Sequence, residues 1–229
     1  MLTQDEIAAR LKAVRERIAS AARRAARDPA AVRLVVASKT QPPEAIRAAY
    51  AAGAREFGEN YVQEAVAKQD ALADLKELRW HLIGHLQTNK AREAAHRFAL
   101  IHSLDSARLA AALGRARRTP RVAVLVEVNA AAEASKSGVA ASEVERLIEN
   151  ARATVEILGL MTIPPPASDP ERSRSHFAAL RAMRDRLAAV TGLALSELSM
   201  GMTDDFEVAI EEGATIVRVG RAILGERAR

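Results

Sequence analysis

Short aliphatic runs alternate along this chain with longer stretches whose apolar residues recur at helical spacing. The clearest run is Val122 to Val128, and another, Leu34 to Ser38, stops abruptly at Lys39 before two prolines. Continuous aliphatic runs of this length are typical of strands buried on both faces of a parallel sheet. The pattern predicts eight short strands, at about residues 34–38, 55–57, 78–83, 99–104, 122–128, 155–160, 197–199 and 215–219.

Amphipathic stretches follow the strands, and one precedes them all. Thr3 and Glu6 have the spacing of a capping box, and Ile7 and Leu11 begin an apolar stripe, which predicts a leading helix from Thr3 to about Arg27. Asp105-Ser106, Ser142, and Thr203 or Asp204 are the expected N-caps of later helices. Further helices are predicted at about residues 43–52, 61–72, 88–98, 107–116, 142–151 and 171–191, after residue 203 or 204, and as a last turn after residue 220.

Eight repeats of strand and helix indicate an α/β protein with a parallel sheet. A doubly wound open sheet is the alternative, but eight evenly spaced units in 229 residues favour a closed (β/α)8 TIM barrel with an extra N-terminal helix. No composition shift or linker divides the chain, so we expect residues 1–229 to form a single domain.

Composition narrows the function classes. The chain has no cysteine, no apolar run near the length of a membrane span and no secretory signal, so we expect a cytoplasmic protein without membrane contact. The net charge is +5, but only 3% of residues are aromatic, which argues against a nucleic-acid partner. His81 and His85 lack a third ligand at suitable spacing, so no metal is expected.

Lys39 is the candidate reactive group. Only 6 of the 34 basic residues are lysines, and this one follows the first strand, where an amine can form an imine with a carbonyl compound. In a barrel, residues just past the strands share one face, and phosphate commonly sits after the seventh and eighth strands. That face would collect Lys39, Asn60, His85, Asp105, Asn129, Met161, Thr162, the stretch Ser199, Met200, Gly201 and Met202, and Gly220 with Arg221. An amine facing a phosphate site is the arrangement that pyridoxal 5′-phosphate needs.

Several longer motifs resemble one known family. They are Ala37-Ser38-Lys39-Thr40, Phe57-Gly58-Glu59-Asn60, the block from Trp80 to Lys90, Gly159-Leu160-Met161-Thr162, the block from Leu198 to Phe206, and Val217-Arg218-Val219-Gly220. Together they make the chain similar, over about residues 3–227, to the pyridoxal phosphate homeostasis proteins, whose barrel resembles that of alanine racemase.

The resemblance implies roles for individual residues. Lys39 would hold the cofactor as an internal aldimine, Ser199, Gly201, Gly220 and Arg221 would hold its phosphate, and Arg218 would face the pyridine nitrogen. Two positions depart from the family pattern: Arg221 stands where the family usually has Thr or Ser, and Leu224 replaces a usual Phe. Lys136 belongs to a further family block, and a second role in cofactor exchange stays open for it.

The sequence is compatible with two functions. The favoured one is a protein that binds pyridoxal 5′-phosphate for vitamin B6 homeostasis, passes it to apo forms of cofactor-dependent enzymes, is a monomer and has no catalytic residues. The alternative is an amino-acid racemase, which needs a second acid-base group opposite the lysine. Because the chain ends at Arg229 with the barrel complete, and because Arg218 would not protonate the ring nitrogen, we expect the binder.

Overall fold

The barrel strands lie where the aliphatic runs predict them. A computed structural model of the protein describes residues 2–129 and 137–226. Its strands are β1 (Arg33–Ala37), β2 (Glu56–Glu59), β3 (Arg79–Leu82), β4 (Leu100–Leu104), β5 (Ala123–Asn129), β6 (Val139–Ala140), β7 (Glu156–Thr162), β8 (Glu197–Ser199) and β9 (Ile216–Val219).

Strand pairing closes the sheet into a barrel. The order β4-β3-β2-β1-β9-β8-β7-β5 is parallel throughout, and a further pairing of β4 with β5 joins its two ends. This confirms the predicted (β/α)8 barrel. The two-residue strand β6 was not predicted; it lies between the strand predicted at 122–128 and the helix predicted at 142–151, and it pairs with Val128 and Asn129 at the end of β5.

Helices surround the barrel. They are α1 (Gln4–Arg24), α2 (Pro43–Ala51), α3 (Val62–Ala71), α4 (Ala91–Arg97), α5 (Ala107–Ala116), α6 (Val144–Ala151), α7 (Arg174–Thr191), α8 (Phe206–Glu211) and α9 (Arg221–Leu224). Single 3-10 turns precede α4, α6 and α7, so these three helices begin later than the apolar spacing predicts.

The leading helix α1 confirms the capping-box prediction. The Thr3 hydroxyl accepts the backbone N–H of Glu6, and the Glu6 carboxylate accepts the backbone N–H of Thr3. Its apolar stripe is buried against α2, α8 and α9, on the outside of the barrel.

Of the N-caps predicted for later helices, some lie at the helix start and others do not. Ser106 caps α5 as expected, because its hydroxyl accepts the N–H of Leu109. The prediction for Ser142 was wrong, since this residue lies in the 3-10 turn before α6. Thr203 and Asp204 were wrong as caps, whereas the pair Asp204-Asp205, also expected to cap this helix, contains the right residue: Asp205 occupies the N-cap position of α8, and its carboxylate turns back to accept the N–H of Met202.

Alternation along the strands divides the core into two apolar clusters. Val35, Leu100, Leu125, Met161 and Ile216 form the inner cluster inside the barrel, and a larger one fills the space between the strands and the helices. Arg218 is two residues beyond Ile216 on β9 and therefore also faces the interior. Among the residues that the structure describes, no helix combines the length and apolar character that crossing a membrane requires.

Candidate functional site at the barrel mouth

A cavity of about 990 Å³ opens at the carboxyl ends of the strands. Seven residues that the sequence placed at the mouth line it, namely Lys39, Asn60, His85, Met202, Arg218, Gly220 and Arg221. Glu127 is also in its wall. A second cavity of about 820 Å³ adjoins it on the side of α1 and shares Arg221 and Asp204 with it. The convergent polar groups lie in the first cavity, which is therefore the candidate site.

A buried lysine anchors the loop that carries Lys39. The ammonium of Lys68, on α3, donates to the backbone oxygen of Ser38 at 2.7 Å, to Oε1 of Glu59 at 2.8 Å and to Oε1 of Glu64 at 2.7 Å. Three acceptors use all three of its protons. Glu59 is fully buried and also accepts the Ser38 hydroxyl at 2.6 Å. The residue before Lys39 is thus held through both its side chain and its carbonyl.

The residue after Lys39 is held by the same cluster. Oε1 of Glu64 accepts the backbone N–H of Thr40 at 2.7 Å. Thr40 has a φ of 63°, in the left-handed region that residues with a β-carbon seldom adopt. The Lys68 cluster, formed by Lys68, Glu59 and Glu64, therefore fixes an unfavourable turn that presents Lys39 to the cavity.

Burial shapes the acid-base properties of this cluster. It raises the pKa of Glu59 above the ordinary value, against the opposing effect of the hydrogen bonds from Lys68 and Ser38. The second carboxylate oxygen of Glu59 is buried and has no hydrogen-bond partner among the described residues. The charge of Glu59 consequently depends on Lys68 remaining in place.

Arg218 forms the floor of the cavity. Its guanidinium donates to the hydroxyl of Ser199 at 2.6 Å and to the backbone oxygen of Thr162 at 3.0 Å. Burial lowers the pKa of Arg218 to about 10, so the group is still protonated at neutral pH. These bonds to described residues use two of its five N–H groups, and the side chain lines the cavity, where a ligand can meet the others.

An acidic wall stands across the mouth from Lys39. Glu127 lies on β5, the strand diametrically opposite β1 in the barrel order, and its buried Oε2 has no hydrogen-bond partner among the described residues. Burial, followed by the negative charge of Asp105, raises the pKa of Glu127 to about 7 against the lowering effect of Arg218 and His85. Asp105 itself contacts Nδ1 of His85 at 3.1 Å. The wall can therefore gain or lose a proton near neutral pH.

Two glycines follow β8 and β9 at points where the backbone is closely packed, and Gly220 lines the cavity. A β-carbon at Gly220 would lie 2.8 Å from the backbone oxygen of Ala37, which leaves no room for a side chain. Gly201 has a φ of 89°, and a β-carbon there would lie 2.5 Å from Cβ of Ala209. At Gly220 the main chain rather than a side chain is therefore presented to the cavity, as an anion site requires.

Several predicted site residues lie elsewhere. The hydroxyl of Ser199 is fully buried beneath the cavity, bonded to Arg218 and to Nδ1 of His102 at 2.9 Å. Met161 belongs to the inner apolar cluster and Met200 to the larger one, and Gly201 is likewise buried and outside the cavity lining. Lys136 lies outside the described residues.

Arg221 reaches the cavity rim, but its guanidinium is already paired. Its Nη2 lies 2.7 Å from both carboxylate oxygens of Asp204, and both side chains are exposed. A phosphate would have to compete with Asp204 for this cation. Because the Arg221–Asp204 ion pair is exposed, breaking it to bind a phosphate would cost little free energy.

Sequence reasoning placed His85 and Asp105 at the mouth but missed the roles of Lys68 and Glu127. A charged residue within an otherwise aliphatic strand was the available signal for Glu127. Lys68 gave none, because a lysine in a polar helical stretch normally lies in solvent.

Comparison with known proteins agrees with this geometry. The family described as alanine racemase, N-terminal domain, matches residues 9–228. The pyridoxal phosphate homeostasis protein of Aquifex aeolicus is 47% identical over 222 residues, which cover 95% of this chain and 97% of that protein. The protein of the same name from Pseudomonas aeruginosa is 45% identical, with 96% of each chain covered.

A solved structure extends the comparison. PipY of Synechococcus elongatus, determined with PLP bound, has a TM-score of 0.84 and 39% identity over 96% of this chain and 100% of that one. This chain and these relatives share most of their length and more than a third of their residues, and this chain and PipY share the fold. The chain therefore belongs to the pyridoxal phosphate homeostasis protein family, which shares the N-terminal domain of alanine racemase.

Proposed function

We propose that this protein binds pyridoxal 5′-phosphate at the barrel mouth and takes part in cofactor homeostasis in the cytoplasm. Within the proposal, residues 1–229 act as one domain, and the protein passes the cofactor to apo-enzymes without turning over free amino acids. The observation that carries it is the convergence of Lys39, Arg218 and Gly220 on one cavity. The names of the curated relatives, which describe homeostasis proteins rather than enzymes, support it.

The cavity offers what each part of this cofactor requires. When bound, the cofactor supplies an aldehyde, which condenses with a lysine amine. Lys39 provides the amine, and the Lys68 cluster fixes the backbone on both sides of it. Gly220 brings the main chain close to the position we propose for the phosphate, and Arg221 adds a cation at the rim.

Arg218 sets the electronic character of the site. Because its pKa stays near 10 despite burial, it donates hydrogen bonds to a ring nitrogen and keeps its own protons at neutral pH. Ser199, assigned to the phosphate by resemblance, serves Arg218 in our proposal, since its hydroxyl is bonded to the guanidinium. Asn60 lines the cavity, whereas Met161, Met200 and Gly201 support its floor and walls from the core.

Covalent labelling tests the proposal. Purified protein mixed with pyridoxal 5′-phosphate should absorb in the visible, and borohydride should fix a pyridoxyl group on Lys39, located by peptide mass spectrometry. Lys39→Ala should lose the adduct, and Lys12→Ala, which changes an exposed lysine on α1, should keep it. An adduct of unchanged yield in Lys39→Ala would refute the assignment.

Transfer and turnover are measured separately. Loaded protein should restore the activity of an apo-enzyme that depends on this cofactor, and L-alanine in D2O should show no substantial racemisation. Rapid racemisation abolished by Lys39→Ala would replace the carrier function with the racemase alternative. Size-exclusion chromatography with light scattering tests the expected monomer.

A further inference from the structure

A row of polar side chains runs through the barrel interior beneath the cavity. Nδ1 of His102 lies 2.9 Å from the Ser199 hydroxyl, and its Nε2 lies 2.9 Å from Nδ1 of His81. Nε2 of His81 lies 3.3 Å from Oε2 of Glu56, a contact close enough for an ion pair but not aligned as a hydrogen bond. The row thus connects Arg218, at the cavity floor, with Glu56, the first residue of β2.

The row crosses the barrel rather than following a neighbouring pair of strands. Glu56, His81 and His102 lie on the adjacent strands β2, β3 and β4, whereas Ser199 and Arg218 lie on β8 and β9. Both histidines and the serine are buried, so water does not compete for their hydrogen bonds.

Donor and acceptor requirements fix the direction of the row. Arg218 can only donate, so the Ser199 oxygen accepts, and the Ser199 hydrogen is free to point at Nδ1 of His102. His102 then carries its hydrogen on Nε2 and donates to Nδ1 of His81, whose own hydrogen is left on Nε2, facing Glu56.

The opposite direction fails at both ends. It would give Ser199 two donors and leave its hydrogen without an acceptor within the described part of the chain. With a singly protonated ring at His81, it would also turn the bare Nε2 toward the carboxylate of Glu56.

The charges of the groups agree with this direction. Burial holds the pKa of His102 well below its usual range, so the ring is neutral, as a donor at one nitrogen and an acceptor at the other must be. Burial alone would raise the pKa of Glu56, but the contacts with His81 and Arg33 bring it below the ordinary value, so Glu56 is an anion. A cation begins the row and an anion ends it.

We propose that Ser199, His102 and His81 are positioning residues that hold the guanidinium of Arg218 in one orientation toward the cavity. The inference rests on the proposed function for the identity of the ligand, and extends it by assigning a role to two buried histidines that do not touch the cavity. Without the row, the guanidinium would keep the bond to Thr162 and could rotate about it. The N–H groups of Arg218 would then point in variable directions, and a ligand nitrogen would accept a weaker hydrogen bond.

The first test needs no cofactor. Nitrogen-15 NMR of the histidine rings in the wild-type protein should show His102 protonated at Nε2 and bare at Nδ1, and the Nδ1 of His81 without a hydrogen, as an acceptor. A ring protonated at Nδ1, at either residue, would overturn the direction of the row and with it the proposal.

The second test follows the bound cofactor. Ser199→Ala and His102→Leu should each shift the nitrogen-15 resonance of bound, ring-labelled pyridoxal 5′-phosphate and weaken its binding about tenfold or more, since each removes a bond to a charged group or its support. The double variant should lose little more than either single one, because both interrupt the same row. His102→Asn, which can keep an acceptor toward Ser199, should recover part of the loss.

A matched control separates positioning from general damage. Leu125→Ala opens a space in the inner apolar cluster and changes no residue of the row, so it should lower stability while leaving the nitrogen-15 resonance in place. If Ser199→Ala and His102→Leu behave like Leu125→Ala while the borohydride adduct still forms on Lys39, the inference fails and the proposed function stands. If wild-type protein forms no adduct on Lys39, the proposed function fails, and the histidine tautomers still decide whether the row exists.

Discussion

Lys68→Met should unlock the loop that presents Lys39. The substitution keeps most of the side-chain volume but removes the ammonium that donates to Ser38, Glu59 and Glu64. Glu59 is fully buried, so its carboxylate would be left without the cation that balances it. Breaking a buried ion pair in this way costs about 3–5 kcal/mol. At roughly 2–4 °C per kcal/mol for a chain of this size, the melting temperature should fall by roughly 6–20 °C at neutral pH.

The loss should depend on pH, and its sign follows from Glu59. Its pKa is already raised in the folded protein by burial, and the variant lacks the hydrogen bond that most opposes that rise. A carboxyl group with a raised folded pKa contributes stability that is present below its unfolded pKa and lost as the pH rises through the folded value. Lys68→Met should therefore be destabilised more at pH 8 than at pH 5.

Urea unfolding at both pH values, together with the rate of adduct formation at Lys39, measures the effect. Lys68→Met/Glu59→Gln should regain much of the stability, because no buried charge remains. Lys76→Met, which alters an exposed lysine, should change stability by no more than about 0.5 kcal/mol. The reasoning is refuted if Lys68→Met loses less than about 1 kcal/mol, equally at both pH values, and labels Lys39 at the wild-type rate.

Further predictions concern the other walls of the cavity. Gly220→Val should weaken binding of pyridoxal 5′-phosphate much more than binding of pyridoxal, because its β-carbon would press on Ala37 beside the position proposed for the phosphate; equal losses in titration would contradict that position. Wild-type stability should fall between pH 5 and 8 by up to about 3 kcal/mol as Glu127 ionises through its pKa of about 7, and urea unfolding of Glu127→Gln should show a flatter profile. Arg221→Thr should leave the borohydride adduct on Lys39 intact and lower phosphate affinity by less than about tenfold, since Asp204 already occupies the cation; a larger loss in titration would show that Arg221 is a main phosphate ligand.

Much of the barrel could be predicted because its strands are locally recognisable. The run from Val122 to Val128 is buried on both faces, so its aliphatic composition carries the assignment without knowledge of its neighbours. The boundaries of α6 and α8 could not be predicted, because a 3-10 turn and a folded-back carboxylate replaced the expected caps. The residue at which each helix begins depends on the path of the loop that leads into it, and local residue preferences do not fix that path.

The candidate site divides in the same way. Lys39, Asn60 and Gly220 follow strands, and in a parallel barrel every strand end reaches the same face, so their convergence followed once the fold class was predicted. The position of Ser199 at a strand end could be predicted in the same way, but the direction of its hydroxyl could not. A small polar side chain at a strand end can turn toward a ligand or into the barrel, and here its two bonds, to Arg218 and His102, turn it inward.

Local sequence was enough to predict the repeated strand–helix order, the lysine that ends the first strand and the glycines after the last two strands, because each is a local property of the chain. Which polar groups are buried together depends on the tertiary structure. His102 and Ser199 are 97 residues apart, and Lys68 is 30 residues from Ser38. Closure of the barrel and packing of α3 bring these groups out of water and into contact. Burial strengthens their hydrogen bonds and ion pairs, because water no longer competes, and so gives the row its direction and the Lys68 cluster its hold on the loop.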